Sequence, residues 1–282
     1  MRSTISPYIQ LMRLDKPVGI YLVLWPALWA LWLAADGFPP WPILAIFIAG
    51  AVVMRSAGCV INDYADRHWD GAVARTCARP LVTGALSVKQ ALGLFVLLIV
   101  VAFVLVLALN DLTQRLAVVA LVLAALYPFM KRYTYWPQLF LGAAFAWAIP
   151  MAYAAVQNSV PYQAWWVFII ALIWTLIYDT LYAMADRDDD LKVGIKSTAI
   201  LFGRYDRLII GLLQLLMIVL LLTLGVHFAL AGSYFMSVFA VALLFVYHQY
   251  QIRQSEPRAC FDAFKQNHWA GLLIWLGLVF AL

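Results

Sequence analysis

Carboxylates are scarce in this chain, and most of them are gathered. Of the 14 acidic residues, eight fall in two short segments. One is Asn62-Asp63-Tyr64-Ala65-Asp66-Arg67-His68-Trp69-Asp70; the other runs from Asp179 through Asp186-Arg187-Asp188-Asp189-Asp190. Residues four apart share one face of a helix. Asn62, Asp66 and Asp70 therefore form a polar stripe over two turns. Tyr182, Asp186 and Asp190 form a second, with Asp179 on nearly the same side. Like charges at this spacing repel, so a stable helix avoids the pattern unless a cation relieves it. Mg²⁺ suits the pattern, because it takes hard oxygen ligands and commonly binds one or two carboxylates plus substrate phosphates. Two facing stripes can hold Mg²⁺ that bridges to one diphosphate and stabilises its charge as a C–O bond breaks. On that reading Asp66, Asp70, Asp186 and Asp190 are the metal-binding and catalytic acids. Asn62, Asp63, Asp179 and Tyr182 join them as substrate-binding residues, while Asp188 and Asp189 point off the stripe.

Basic residues accompany both segments. Arg67, Arg75 and Arg79 follow the first, and Arg187, Lys192 and Lys196 surround the second. Such groups clamp diphosphate oxygens, although membrane orientation alone would put basic residues in the same places.

Positioning these stripes is the work of a membrane bundle. Hydrophobic residues are 66% of the chain and charged residues 12%, with a mean hydropathy of +0.89. A soluble domain carries about twice that charged fraction, so lipid must cover much of the surface. With about 20 apolar residues per crossing, nine spans are expected: 18–35, 41–61, 90–109, 113–130, 138–156, 163–183, 208–228, 233–252 and 267–282. Backbone groups in hydrocarbon must bond internally, which makes the fold all-α. The run 18–35 is long for a signal peptide and many spans follow it, so it reads as the first helix. With the N-terminus inside, all but Arg115 of the 19 basic residues fall on the inner side. This predicts N-in/C-out topology and puts both acidic segments at the cytoplasmic face. The same distribution accounts for the net charge of +5 without nucleic acid as a partner. Cys59, Cys77 and Cys260 show neither metal nor redox spacing.

Ala65-Asp66-Arg67 recurs as Ala185-Asp186-Arg187, and Asp70 as Asp190, at one common offset. Residues 1–282 thus read as a single membrane domain with an internal repeat of spans 1–4 and 5–8. Oligomeric state leaves no signal in the sequence.

The two segments resemble those of the UbiA superfamily of intramembrane prenyltransferases. Its first motif, NDxxDxxxD, is met by Asn62, Asp63, Asp66 and Asp70, and its second, DxxxD, by Asp186 and Asp190. Four further segments make the chain similar to the bacterial branch that prenylates 4-hydroxybenzoate: Arg13-Leu14-Asp15-Lys16-Pro17-Val18-Gly19, Gly58 to Arg67, Tyr127 to Thr134, and Gly194 to Gly203. The resemblance implies transfer of a polyprenyl group from its Mg²⁺-bound diphosphate to the ring carbon ortho to the phenol, in ubiquinone synthesis at the bacterial inner membrane. It also implies a hydrophobic lumen open to membrane lipid, and helical caps over the diphosphate in the loops after spans 2 and 6. Trp25, Trp29, Tyr178 and Tyr182 could face an allylic cation. Lys131 and Arg132 are expected to meet the benzoate carboxylate, since the family has a substrate-recognising Arg in that loop. Arg55, a charge inside an apolar run, is a rival for that role. Other UbiA chemistries (naphthoate, homogentisate or haem) and a secondary transporter or divalent-metal carrier remain as alternatives; a transporter would bring its coupling carboxylates nearer the midplane.

Overall fold

A computed structural model describes residues 6–67, 71 and 76–282. All regular elements among these residues are helical. They are α1 (Ser6–Leu11), α2 (Val18–Ala35), α3 (Trp41–Asp66), α4 (Val88–Leu107), α5 (Asp111–Tyr133), α6 (Pro137–Ala146), α7 (Ala148–Gln157), α8 (Tyr162–Val193), α9 (Thr198–Phe202), α10 (Asp206–His227), α11 (Gly232–Gln251) and α12 (Pro257–Val279), with a 3-10 turn at Gly203–Tyr205. Eight helical stretches are long and apolar enough to cross a membrane, α6 and α7 together making one and α9 and α10 another. The ninth expected span, 267–282, lies mostly within α12. That helix begins ten residues earlier, with Pro257 in its first turn, where a missing N–H costs nothing. Its first half carries Arg258, Asp262, Lys265, Gln266 and Asn267, so it lacks the uniformly apolar composition of the other eight.

The helices differ from the apolar runs in ways that matter for the site. α3 has 26 residues and α8 has 32, about 39 and 48 Å at the helical rise. Both outreach a hydrocarbon core of roughly 30 Å, and each carries its acidic segment on the excess length at its C-terminal end. A helix C-terminus is the negative end of the dipole, so carboxylates there are doubly unfavourable without cations. α8 stops at Gly194, whose φ of +72° is left-handed and suits a residue without a Cβ. The fifth expected span is broken at Trp147 into α6 and α7. Pro150 supplies the reason: it has no N–H for the Ala146 carbonyl one turn back.

The main core joins α2, α7, α8, α10, α11 and α12, with Trp29, Trp174, Tyr153, Tyr178 and Tyr234 wholly buried. The Trp29 indole donates to the Gly271 carbonyl at 2.9 Å, and Trp25 stacks on Trp275. These tryptophans are therefore packing groups, not cavity aromatics. α4 and α5 contribute little to this core and expose apolar residues such as Val96, Phe103, Val118 and Val122, as lipid-facing helices do. Of the expected helical caps, the loop after α8 supplies the short α9; the one expected after α3 falls largely outside the described residues, and from Thr76 to Leu86 that loop runs through turns.

Candidate functional site

α4 packs closely on α3, and α5 on α6 and α7, but α5 meets α3 and α4 only loosely, and the gap is a cavity of about 740 Å³. Its walls come from α2, α3, α4, α5 and the α6–α7 pair. Arg55, Asn62 and Tyr127 line one end, Asp111, Gln114 and Arg115 the other. Asp111 and Tyr127 are 16 residues apart on α5, about 24 Å at the helical rise, so the cavity runs through most of the hydrocarbon thickness. The wall between is largely apolar. It is long and narrow enough for an extended hydrocarbon chain, with polar groups waiting at the end that bears the acidic motifs.

Successive residues on a helix diverge by about 100°, and this sorts the first motif. Asn62 faces the cavity and lies beside the Tyr127 hydroxyl. Asp63 turns the other way and is 2% exposed. Its carboxylate accepts from Arg13 Nη2 at 3.1 and 3.2 Å and pairs with Arg79 Nη1 at 3.0 Å. The carboxylate thereby ties the segment before α2 and the loop after α3 to α3 itself. Asp66, one turn beyond Asn62, holds the Lys131 ammonium at the end of α5. Arg67 folds back, donating to the Tyr64 carbonyl at 2.7 Å with its guanidinium over the Tyr64 ring. Asp70 and Arg75 lie outside the described residues.

The second motif approaches from α8. Asp179 and Tyr182 share one electrostatic neighbourhood with Arg55 and Tyr127, and Asp179 also feels Asp186. The cavity end beside Asn62 is thus the end that the second stripe faces. Asp186 and Asp190 follow along α8, both partly buried and both engaged with neighbours. Arg187, one step off the stripe, pairs with Asp206 at the start of α10. Lys192 is exposed and reaches Asp189 at 3.0 Å. The Lys196 backbone N–H donates to the Lys131 carbonyl at 2.9 Å, and its Nζ donates to the Tyr133 carbonyl at 3.3 Å. Lys131 therefore touches both halves, Asp66 by its side chain and the segment after α8 by its backbone. That segment is fixed further by Thr198, whose N–H donates to Gln138 Oε1 and whose hydroxyl meets that of Thr180 at 2.7 Å. Arg132 is exposed.

Tyr127 and Arg55, neither of them expected among the metal- or diphosphate-binding residues, also belong to this neighbourhood. Tyr127 opens one of the segments shared with the bacterial branch, but nothing in its apolar helix marks it as the neighbour of Asn62 and the α8 side. Arg55 had a signal, being a charge within a hydrophobic run. Its buried Nε finds no hydrogen-bond acceptor among the described residues, and its guanidinium lies 5.8 Å from the centre of the Phe145 ring.

Among the described residues, no three His, Cys, Asp or Glu side chains form a ready-made metal cage. The donors are instead hard oxygens split between two helix ends, a set that fits Mg²⁺ bound by few carboxylates together with a phosphate ligand. The ammonium of Lys131 at Asp66 shows that this carboxylate seeks a cation.

The sequence profile of the UbiA prenyltransferase family matches residues 23–276. A 4-hydroxybenzoate octaprenyltransferase of Hydrogenovibrio crunogenus is 60% identical over 278 residues, covering 99% of this chain and 98% of that one. A protein of the same name from Saccharophagus degradans is 56% identical, covering 99% and 93%. Among solved structures, a UbiA homolog from Aeropyrum pernix K1 superposes with a TM-score of 0.81 at 23% identity over 92% of this chain and 97% of that one. A UbiA homolog from Archaeoglobus fulgidus bound to GPP and Mg²⁺ gives 0.75 at 16% identity over 97% and 99%. At these identities the two structures speak for the fold. The sequence relatives and the family profile go further: the chain belongs to the UbiA prenyltransferase family.

Proposed function

We propose that this protein transfers a polyprenyl group from polyprenyl diphosphate to the ring carbon ortho to the hydroxyl of 4-hydroxybenzoate, releasing diphosphate, as a step of ubiquinone biosynthesis. The observation that supports the reading is that Asn62 of the first segment and Asp179 and Tyr182 of the second lie around Arg55 and Tyr127, at the polar end of one long apolar cavity. The shared name of its relatives, at 56–60% identity, supports both the acceptor and an octaprenyl donor. Residues 1–282 act as one membrane domain of nine spans, including α12, with N-in/C-out topology and the active site on the cytoplasmic side of the bacterial inner membrane. The clustering of basic residues beside both acidic segments supports that orientation.

The donor tail lies in the cavity, excluded from water, with its diphosphate at the Asn62 end. Mg²⁺, when bound, neutralises the diphosphate and stabilises the charge that grows on it as the C–O bond breaks. Asp66 and Asp70 from one half, and Asp186 and Asp190 from the other, would supply the oxygens for that cation, with Asn62 beside the diphosphate. Lys131 and Lys196 are the ammonium groups near enough to contribute to the same anion. Arg79 and Arg187 brace the frame through Asp63 and Asp206. The phenol ring enters beside Arg55, whose guanidinium binds the carboxylate; its cavity location favours it over the exposed Arg132. Tyr127 and Asp179 hold this pocket polar on the α8 side. The dry lumen protects the allylic cation from water until the ring carbon attacks it.

Asp66→Ala and Asp186→Ala test the shared site. Each should lower prenylation at least about 100-fold, the scale of losing one electrostatic contact to a transition state, while the protein stays folded. Full activity in either variant would remove that half from the site.

A further inference from the structure

We propose that Gly19 is a positioning residue for the acceptor: its bare Cα leaves the slot that keeps the Arg55 guanidinium aimed into the cavity. The inference rests on the reading of Arg55 as the carboxylate anchor. Gly19 is the second residue of α2, and its backbone is not left-handed. Conformation therefore does not require a glycine, and helix propensity disfavours one by about 1 kcal/mol relative to alanine. The reason lies across the helix interface. A Cβ built on Gly19 would stand 2.5 Å from Arg55 Nε, 2.7 Å from Nη2 and 2.9 Å from Cζ. Real contacts of that kind do not go below 3.0 Å.

All three atoms belong to the guanidinium, the far end of a flexible side chain. No other group lies as near, so an added methyl would be relieved by swinging the guanidinium aside, with the backbone left in place. On its other side the guanidinium meets the Phe145 ring. Gly19 and Phe145 thus bound a slot between α2 and α6 through which Arg55, rising from α3, reaches the cavity wall near Asn62 and Tyr127. An acceptor carboxylate binds one fixed fork of N–H donors well, and displacing that fork weakens acceptor binding without touching the donor diphosphate.

The test compares the parent, G19A, R55A and the double variant G19A/R55A in steady-state prenylation, with 4-hydroxybenzoate and with uncharged 4-hydroxybenzamide as acceptors. G19A should raise the KM for 4-hydroxybenzoate about tenfold or more, the scale of a displaced charge-assisted hydrogen bond. It should leave the KM for the prenyl diphosphate and the rate with the benzamide within about twofold of the parent, the ordinary scatter of a site whose chemistry is intact. In the R55A background it should add nothing. An unchanged benzoate KM in G19A, beside a raised one in R55A, overturns the inference and leaves the anchor standing. An unchanged benzoate KM in R55A overturns the anchor and the inference together. Should G19A fail to fold, G19A/R55A decides, because alanine at position 55 removes all three atoms the methyl would meet. Folding with kinetics like R55A supports the slot, and a second failure to fold assigns Gly19 to backbone packing and overturns the inference.

Discussion

Asp63→Ala separates a structural carboxylate from a catalytic one within a single motif. Asp63 is 2% exposed and, among the described residues, binds the guanidinium groups of Arg13 at 3.1 Å and Arg79 at 3.0 Å. Removing one member of a buried ion pair leaves an uncompensated charge and costs about 3–5 kcal/mol. Here the surviving arginine side chains are 24% and 17% exposed, so water re-solvates them in part, and about 2–3 kcal/mol is expected. For a chain of this size that lowers the melting temperature by about 3–5 °C. Thermal unfolding of the detergent-solubilised protein measures the shift. A cycle with Arg13→Ala should show strong non-additivity, since both changes break the same contact. Prenylation per folded molecule at low temperature should fall far less than in Asp66→Ala. A variant that melts within about 1 °C of the parent but has lost activity would refute the brace and return Asp63 to the substrate site.

Two further outcomes follow from the same geometry. Gly58 lines the cavity, and a Cβ there would meet nothing within 4 Å. Gly58→Ala should therefore raise stability by about 1 kcal/mol through helix propensity, whereas Gly58→Leu, filling the space between Arg55 and Asn62, should abolish prenylation while the protein remains folded; thermal melts and product formation check both. Cys77 is exposed while Cys59 and Cys260 are buried, so a membrane-impermeant maleimide should label inverted vesicles and spare intact spheroplasts, and the reverse pattern would contradict N-in topology.

Lipid-crossing segments were legible because a long apolar run has few alternative uses. The start of α2 at residue 18 and the spans along α10 and α11 agree with expectation within two residues. Helix ends were not legible, because hydropathy reports where lipid stops, not where the backbone bonds stop. α3 and α8 continue as polar helices for five and ten residues past their expected edges, and those extensions carry the motifs. The break at Trp147 was visible in Pro150 but does not alter an apolar run. The face shared by Asn62 and Asp66 follows from helical spacing, but Asp63, expected beside them at the substrate, turns instead to Arg13 and Arg79. Those partners were not legible, because tertiary packing alone brings them to it. Arg187 repeats the lesson: basic residues beside an acidic motif suggest phosphate, yet this one pairs with Asp206. The place of Tyr127 beside Asn62 emerges only from the way α5 lies along α3.

Transfer to carbon is the central claim, and one measurement addresses it directly. Purified protein in detergent, given octaprenyl diphosphate, 4-hydroxybenzoate and Mg²⁺, should yield a single product equal to the acceptor plus the prenyl group less one hydrogen. NMR should place the new C–C bond ortho to the hydroxyl. Formation should stop with EDTA and resume with added Mg²⁺. Free prenyl alcohol alone, an ether at the phenol oxygen, or product formed equally in EDTA would contradict the account.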